Sequence, residues 1–349
     1  MASESSIVGR LAPSPTGAQH VGNARTYLLA WLSVRSRGGR LVLRIEDIDS
    51  PRVKPWATQQ ALDDLKWLGL DWDEGPDRGG PHQPYVQTQR VELYHSALEQ
   101  LKAAEQVYPC TCTRSDVAAA ASAPHVGQEG PIYPKLCAAR GVADAETLGS
   151  QPVAWRFRTD RRTLNGSKAE AGSAELSSFN DLIAGPQSCR ISNELGDFVV
   201  GKMDGAIAYQ LAVVVDDHAM GVTEVIRGDD LLPSAFRQLE LYDFFGWQPP
   251  SFGHVPLVVG EDGRRLAKRH GDTRLSVLRE RGYGPELLIG LLAWSLGLSF
   301  RVEPMTASSL LGSFDLQRVA QRREPFVLTN EYWQALLENS VDKLVPRHN

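Results

Sequence analysis

Residues 10–23 read R-L-A-P-S-P-T-G-A-Q-H-V-G-N, and the order of events within them sets the fold. Pro13, Pro15 and Gly17 punctuate a loop. Directly after it Ala24, Tyr27, Leu28, Trp31 and Leu32 recur at the three- and four-residue spacing of a helix. A strand near 7–12, a glycine-bearing loop and then a helix form a phosphate cradle, because free N–H groups at a helix start favour anions. Gly22 leaves room for a bound group to approach the backbone, and His20 offers a donor to developing phosphate charge. A second cluster, R-L-A-K-R-H-G at 265–271, supplies Lys268 flanked by Arg264, Arg265 and Arg269, suited to a pyrophosphate leaving group. Each cluster alone reads as a surface turn or a basic patch. Both, in this order and separated by a long insertion, describe one nucleotide-handling site.

Working outward, the chain alternates strand and helix. Leu41–Ile45 is a short apolar run suited to a buried parallel strand, and Ala57–Leu68 reads as a helix stopped by Gly69. Val91, Tyr94, Leu98 and Leu101 mark another helix. From 110 to about 190 the chain turns polar and Ser/Ala/Gly-rich, with one alternating strand at Val153–Arg158. Asp204-Gly205 predicts a hairpin between apolar strands Phe198–Val200 and Ile207–Val215, placing Asp216-Asp217-His218 structurally at a strand end. Val222–Ile226 reads as a strand, Pro233–Phe245 as a helix, and Leu287–Leu298 as a short buried helix. This order predicts an α/β fold: a Rossmann-like nucleotide-binding domain with a parallel sheet, interrupted by an insertion and followed by a small helical C-terminal end. The expected boundaries are 1–109 and 196–260 for the two halves of the nucleotide fold, 110–195 for the insertion, and 261–349 for the basic loop and C-terminal region.

Composition narrows the class. The 349 residues carry 37 Lys and Arg against 42 Asp and Glu, a net charge of −5, which argues against bulk, charge-driven nucleic-acid binding; no DNA partner is expected, and an RNA partner needs a local basic face. The start M-A-S-E-S-S lacks a basic region followed by an apolar run, and no stretch approaches a membrane-spanning length. A cytoplasmic location without membrane attachment is expected. Four cysteines in so long a chain do not make a disulfide framework, and Cys189 reads as a core thiol.

These motifs together resemble the class I aminoacyl-tRNA synthetases of the glutamyl type. H-V-G-N stands in the place of that family's HIGH signature and R-L-A-K-R in the place of KMSKS. The resemblance runs through A-P-S-P-T-G (12–17), R-I-E-D-I-D (44–49), V-V-D-D-H (214–218), V-T-E-V-I-R-G-D-D-L-L (222–232) and F-R-Q (236–238), covering roughly 7–300. Asn23 replaces the second histidine of HIGH, while Arg265 and Ala267 replace the first lysine and the serine of KMSKS. The resemblance implies ATP contacts at His20, Gly22, Asn23 and Lys268, with His20 and Lys268 catalytic and magnesium accompanying the nucleotide. It also implies contacts to L-glutamate at Arg10, Leu11, Ala12, Pro13, Ser14, Glu46, Tyr209 and Arg227. Charge supports that set. An amino acid with two carboxylates needs guanidinium forks, here Arg10 and Arg227, and an anion for its ammonium, here Glu46. Tyr209 adds a hydroxyl.

Only about fifty residues follow Leu298, too few for the helical anticodon-binding region these enzymes append. That points to the family's truncated glutamyl-Q branch, whose members attach glutamate to the queuosine base of tRNA(Asp) instead of a tRNA 3′ end. Cys110-Thr-Cys112 with Tyr133 and Cys137 resembles the zinc site of that branch, with the interval between Cys112 and Tyr133 stretched by an insert that contains His125, an alternative fourth ligand. Three other readings stay open: a conventional enzyme charging tRNA(Glu), a non-catalytic tRNA-binding relative, and a small-molecule nucleotidylyltransferase. The last does not account for Arg10, Glu46, Tyr209 and Arg227 occurring together.

Overall fold

The computed structural model describes residues 7–48, 53–120, 132–160, 163–164, 167–168, 176–266 and 272–342. Lys268, Ala267, Arg269 and His125 lie outside these residues. Among the described residues no helix is long and apolar enough to cross a membrane.

Strand β1 (Val8–Leu11) runs parallel to β2 (Arg40–Leu43), joined through helix α1 (Val21–Arg35). Alternate residues face opposite sides: Val8 and Val42 enter one apolar core, while Leu11, Leu41 and Leu43 enter a second. Helix α2 (Pro55–Trp67) ends before Gly69, whose φ of +75° suits a residue without a side chain. Helix α3 (Val91–Ala103) follows, then β3 (Val107–Cys110). Strand β4 (Ala154–Phe157) pairs antiparallel with β3 and, on its other edge, with β7 (Phe198–Gly201). Between them lies an antiparallel hairpin, β5 (Ser177–Asp181) with β6 (Gly185–Cys189). Sequence reading missed this hairpin because S-S-F-N-D and G-P-Q-S-C show little apolar alternation. Its turn is nevertheless built by Asp181, whose Oδ1 accepts from the N–H groups of Ile183 and Ala184 at 2.9 and 2.7 Å.

The predicted strand at Ile207–Val215 is corrected: the chain there forms helix α4 (Tyr209–Ala219). The Asp204-Gly205 turn does form, with Lys202 N–H donating to Ala206 O at 2.7 Å, but pairing stops at a single bridge between Gly201 and Ile207. From Leu211 to Val215 the run is wholly apolar and has no polar face to reveal its period, so Val213, Val214 and Val215 look strand-like in isolation. In the fold, Leu211 to Val215 are buried in one core with residues of α3 and of helix α5 (Leu232–Phe245), and an all-buried helix satisfies every backbone group there. Asp216, Asp217 and His218 therefore occupy the last turn of a helix, and Tyr209 its first.

Strand β8 (Glu224–Gly228) runs parallel to β9 (Ser251–Val255), with Arg227 opposite His254. Thr223 N–H donates to Val8 O at 2.8 Å, which sets β8 beside β1. The short strand β10 (Val258–Val259), helix α6 (Leu275–Glu280) and the apolar helix α7 (Glu286–Ser295) complete the core on the α1 side. The two parallel strand pairs, with helices packed on both faces, are the expected α/β framework.

Candidate active site

A cleft of about 570 Å³ opens at the carboxyl ends of β1 and β8 and the N-terminus of α1, where parallel sheets bind their ligands. Arg10, Ala12, Ser14, His20, Gly22, Asn23, Glu46, Tyr209 and Arg227 line it together. Leu11 and Pro13 do not. Leu11 is wholly in the core, and both contribute through backbone: Leu11 O accepts from Arg44 N–H at 2.9 Å and Pro13 O from Glu46 N–H at 3.0 Å. The loop and the β2 exit are thereby clamped side by side.

His20 caps α1. Its Nδ1 accepts from Gly22 N–H at 3.1 Å, and Asn23 Oδ1 accepts from His20 N–H at 3.1 Å, a reciprocal pair. Asn23 thus earns its place without being a second histidine. Burial, and then the charge of Arg265, push the His20 pKa down to about 4, so the ring is neutral near pH 7. With Nδ1 accepting, the proton sits on Nε2 and is available for donation. A Cβ at position 22 would lie 2.9 Å from His20 Cε1, so the glycine makes room for the histidine ring itself. Across the cleft, Arg265 pairs with Asp230 at 2.7 Å and bridges to Val259, bringing the start of the second cluster to the first.

Glu46 is buried, not on a surface turn, and accepts from Arg44 Nη2 at 2.9 Å. Burial raises its pKa in spite of Arg44 and Arg10. Arg44 also meets Asp217 at 2.7 Å and lies 3.6 Å from Asp216. Burial opposes its charge, but Asp217, Glu46 and Asp216 outweigh that and hold its pKa well above the usual value. Asp216 accepts further from Arg90, Gln87 and Tyr94 at 2.7, 3.0 and 2.8 Å, and Arg10 Nε lies 3.5 Å from Asp217. The acidic pair is structural, as expected, though from a helix: it is the counter-charge that lets Arg10 and Arg44 stand beside the cleft.

Arg227 is buried. Its Nε donates to His254 Nε2 at 3.0 Å, its Nη1 to Gln238 Oε1 at 2.9 Å, and its Nη2 has no hydrogen-bond partner among the described residues. Arg227 lines the cleft, and a desolvated guanidinium nitrogen without a partner has the capacity to bond a carboxylate. Burial pushes the Tyr209 pKa up, with the Glu46 charge adding to it, so its hydroxyl stays protonated. Tyr27, Thr16 and Leu257 also line the cleft, and His254, Asp181 and Gln238 stand behind it. Thr16 and Gln238 fall inside the motifs A-P-S-P-T-G and F-R-Q without an expected contact of their own, and nothing in the local pattern of Tyr27, Leu257, His254 and Asp181 separates them from core or loop residues.

Apart from this cleft, the Sγ atoms of Cys110, Cys112 and Cys137 lie within 4.8 Å of one another. Cys112 and Cys137 are 3.6 Å apart, and Tyr133 Oη stands 3.4 Å from Cys110 Sγ and 3.7 Å from Cys112 Sγ. Arg156 Nε donates to Cys110 Sγ at 3.2 Å and Arg140 Nη1 to Cys137 Sγ at 3.3 Å, while burial pushes the Cys112 thiol up to about 11. Burial raises the Cys137 pKa, yet Tyr133 and the Thr111 backbone N–H bring it down to about 7. Three thiols so grouped could hold a metal ion. Cys189 lies apart, buried in a cluster with Ile191 and Phe236.

A parallel α/β framework with a helix start capped by a neutral histidine and a charged cleft at the strand ends fits the catalytic fold of a class I synthetase. The chain belongs to the family of class I tRNA synthetases (E and Q) by its catalytic domain, matched over residues 6–330. It is 50% identical over 331 residues to the glutamyl-Q tRNA(Asp) synthetase of Symbiobacterium thermophilum, covering 95% of this chain and 98% of that protein. The glutamyl-Q tRNA(Asp) synthetase of Rhodopirellula baltica is 48% identical over 93% of this chain and 97% of its own length. Glutamate–tRNA ligase 2 of Syntrophus aciditrophicus is 38% identical, with 97% of this chain matching 68% of that protein. Among solved structures, a glutamate tRNA ligase from Elizabethkingia meningosepticum in complex with its amino acid superposes with a TM-score of 0.77. That likeness is at 28% identity and spans 95% of this chain and 68% of the other.

Proposed function

We propose that this chain activates L-glutamate with ATP and transfers the glutamyl group to the queuosine base in the anticodon of tRNA(Asp). One observation carries the activation half: the phosphate-facing start of α1, capped by neutral His20, opens into the same cleft as Arg10, Glu46, Tyr209 and the unpartnered Nη2 of Arg227. A glutamate carboxylate attacks the α-phosphorus of ATP, the bond to the β-phosphate oxygen breaks, and glutamyl-adenylate and pyrophosphate result. A carboxylate is already a nucleophile at neutral pH, so positioning and charge stabilisation suffice, with no side chain needed as a base. Glu46 holds the ammonium, Arg227 and Tyr209 take a carboxylate, and His20 Nε2–H donates to phosphate oxygen. Lys268, outside the described residues, is assigned to the leaving pyrophosphate. Magnesium bound with ATP neutralises phosphate charge.

The choice of tRNA(Asp) is supported by relatives of 46–50% identity that bear the glutamyl-Q name and by the cysteine cluster. We assign structural zinc to Cys110, Cys112, Tyr133 and Cys137. Tetrahedral bonds of about 2.3 Å to sulfur and 2.0 Å to oxygen put sulfur atoms about 3.8 Å apart and oxygen about 3.5 Å from sulfur. The 3.6, 3.4 and 3.7 Å separations are close to those edges. Cys137 N–H donates to Tyr133 Oη at 2.9 Å, which helps an oxygen carrying negative charge. We further assign 110–195 as the insertion between catalytic halves 1–109 and 196–260, with 261–349 as the basic loop and C-terminal region. The sheet β3–β4–β7 is the seam through which the insertion leaves and re-enters. Its substrates, ATP and tRNA, are those of the cytoplasm.

The test is ATP–pyrophosphate exchange with glutamate, followed by transfer of labelled glutamate to queuosine-containing tRNA(Asp) and, separately, to tRNA(Glu). Exchange without tRNA and label on tRNA(Asp) are expected. Label confined to tRNA(Glu), with exchange dependent on it, makes this a conventional glutamyl enzyme. No exchange under any condition leaves a binding protein.

A further inference from the structure

We propose that His254 and Asp181 are positioning residues that lock one tautomer behind Arg227 and so aim its free nitrogen at the glutamate carboxylate. The inference deepens the reading of Arg227 above and rests on it. Arg227 and His254 are register partners on the parallel strands β8 and β9, and Arg227 Nε reaches His254 Nε2 at 3.0 Å. A guanidinium nitrogen can only donate, so Nε2 of this imidazole must present its lone pair. The proton then resides on Nδ1, which lies 2.5 Å from Asp181 Oδ2. Asp181 is held in turn: its Oδ1 accepts from the backbone N–H groups of Ile183, Ala184 and His254 at 2.9, 2.7 and 3.0 Å. Four donors converge on one carboxylate in the turn of the β5–β6 hairpin, and that carboxylate dictates which imidazole nitrogen carries the proton.

The other side of Arg227 is fixed as firmly. Nη1 donates to Gln238 Oε1 at 2.9 Å, whose Nε2 donates to Gln210 Oε1 at 3.0 Å, whose Nε2 reaches Ser234 Oγ at 2.8 Å. The guanidinium lies 5.1 Å from the ring centre of Phe252. His254 and Asp181 are 1% and 2% exposed, so water does not replace these bonds. With two nitrogens tied, only Nη2 remains for a ligand, and its direction follows from the plane that His254 and Gln238 set. The geometry resembles the tautomer control exerted by a buried aspartate on a catalytic histidine, here turned to holding an arginine.

Asp181→Asn tests it. The amide oxygen can keep the backbone N–H groups, but its NH₂ then faces His254 Nδ1 and moves the imidazole proton to Nε2, opposite the Arg227 Nε–H. The KM for glutamate in exchange is expected to rise by about tenfold or more, one charge-assisted bond, with the KM for ATP within about twofold. In a His254→Gln background an amide oxygen accepts from Arg227 whatever stands at 181, so Asp181→Asn should add less than about threefold there. Equal rises in both KM values, an unchanged glutamate KM, or the full factor persisting in the His254→Gln background each overturn the proposal. Nitrogen NMR of His254 reads the tautomer directly: protonated Nδ1 in the parent, protonated Nε2 in Asp181→Asn. An Nδ1 proton that stays put overturns the relay even if the parent enzyme activates no glutamate, so failure of the relay and failure of the functional reading are separable.

Discussion

Replacing Arg227 by lysine keeps a positive charge and removes a shape. Arginine here spreads three nitrogens over three positions: Nε on His254 at 3.0 Å, Nη1 on Gln238 at 2.9 Å, and Nη2 buried without a partner among the described residues. A single ammonium on a flexible stem can serve one of these at a time. If it stays with His254 or Gln238, glutamate loses its donor. If it reaches the ligand, a buried acceptor is orphaned. Loss of one charge-assisted bond in a desolvated site costs about 1.5–3 kcal/mol, so glutamate affinity should fall by about one to two decades. Unpaired acceptors on His254 and Gln238 should cost the fold about 1–3 kcal/mol each, visible as a lower melting temperature. Titrating glutamate and ATP separately in pyrophosphate exchange measures the first effect. The reasoning is refuted by an unchanged glutamate constant, or by a loss shared equally with ATP, since Arg227 is assigned to the amino acid and not to the nucleotide.

Further outcomes can be checked in parallel. Lys268→Ala should slow activation by on the order of 10²-fold with a smaller effect on substrate binding, because its charge acts mainly in the transition state; near-normal exchange would mean that R-L-A-K-R is not the KMSKS equivalent. His20 should titrate near pH 4, not 6.5, when followed by NMR. Between those values the unfolded chain binds a proton at His20 that the folded chain does not, so its contribution to stability is complete above about pH 6.5 and falls away toward pH 4. A midpoint near 6.5 would place the ring in open solvent. Purified protein should carry one zinc ion per chain by elemental analysis, lost in Cys112→Ser and bound more weakly in Tyr133→Phe; full retention in both variants removes the assigned ligand set.

Much of this protein is settled by local sequence. Pro13, Pro15, Gly17 and the periodic run after Gly22 predict a strand, a loop and a helix from their own backbone preferences, and β1 and α1 form there. Cys110, Cys112 and Cys137 are legible as a cluster from the C-x-C…Y-x-x-x-C pattern and its family resemblance, and the fold brings their sulfurs within 4.8 Å of one another. What sequence could not decide is whatever depends on neighbours distant along the chain. Leu211 to Val215 carry strand propensity, yet packing against α3 and α5 on several sides makes them helical, since a run without a polar face has no period to read. The burial of Arg44 and Glu46 is not legible locally, because Asp216 and Asp217, about 170 residues away, supply the compensating charge. His254 and Asp181 have no motif at all. Their role exists only because parallel pairing of β8 with β9 sets Arg227 opposite His254, and because a hairpin turn delivers one carboxylate to the far nitrogen of that ring. Hydrogen bonds are directional and short-ranged, so which arginine is aimed, and at what, is a property of the assembled sheet.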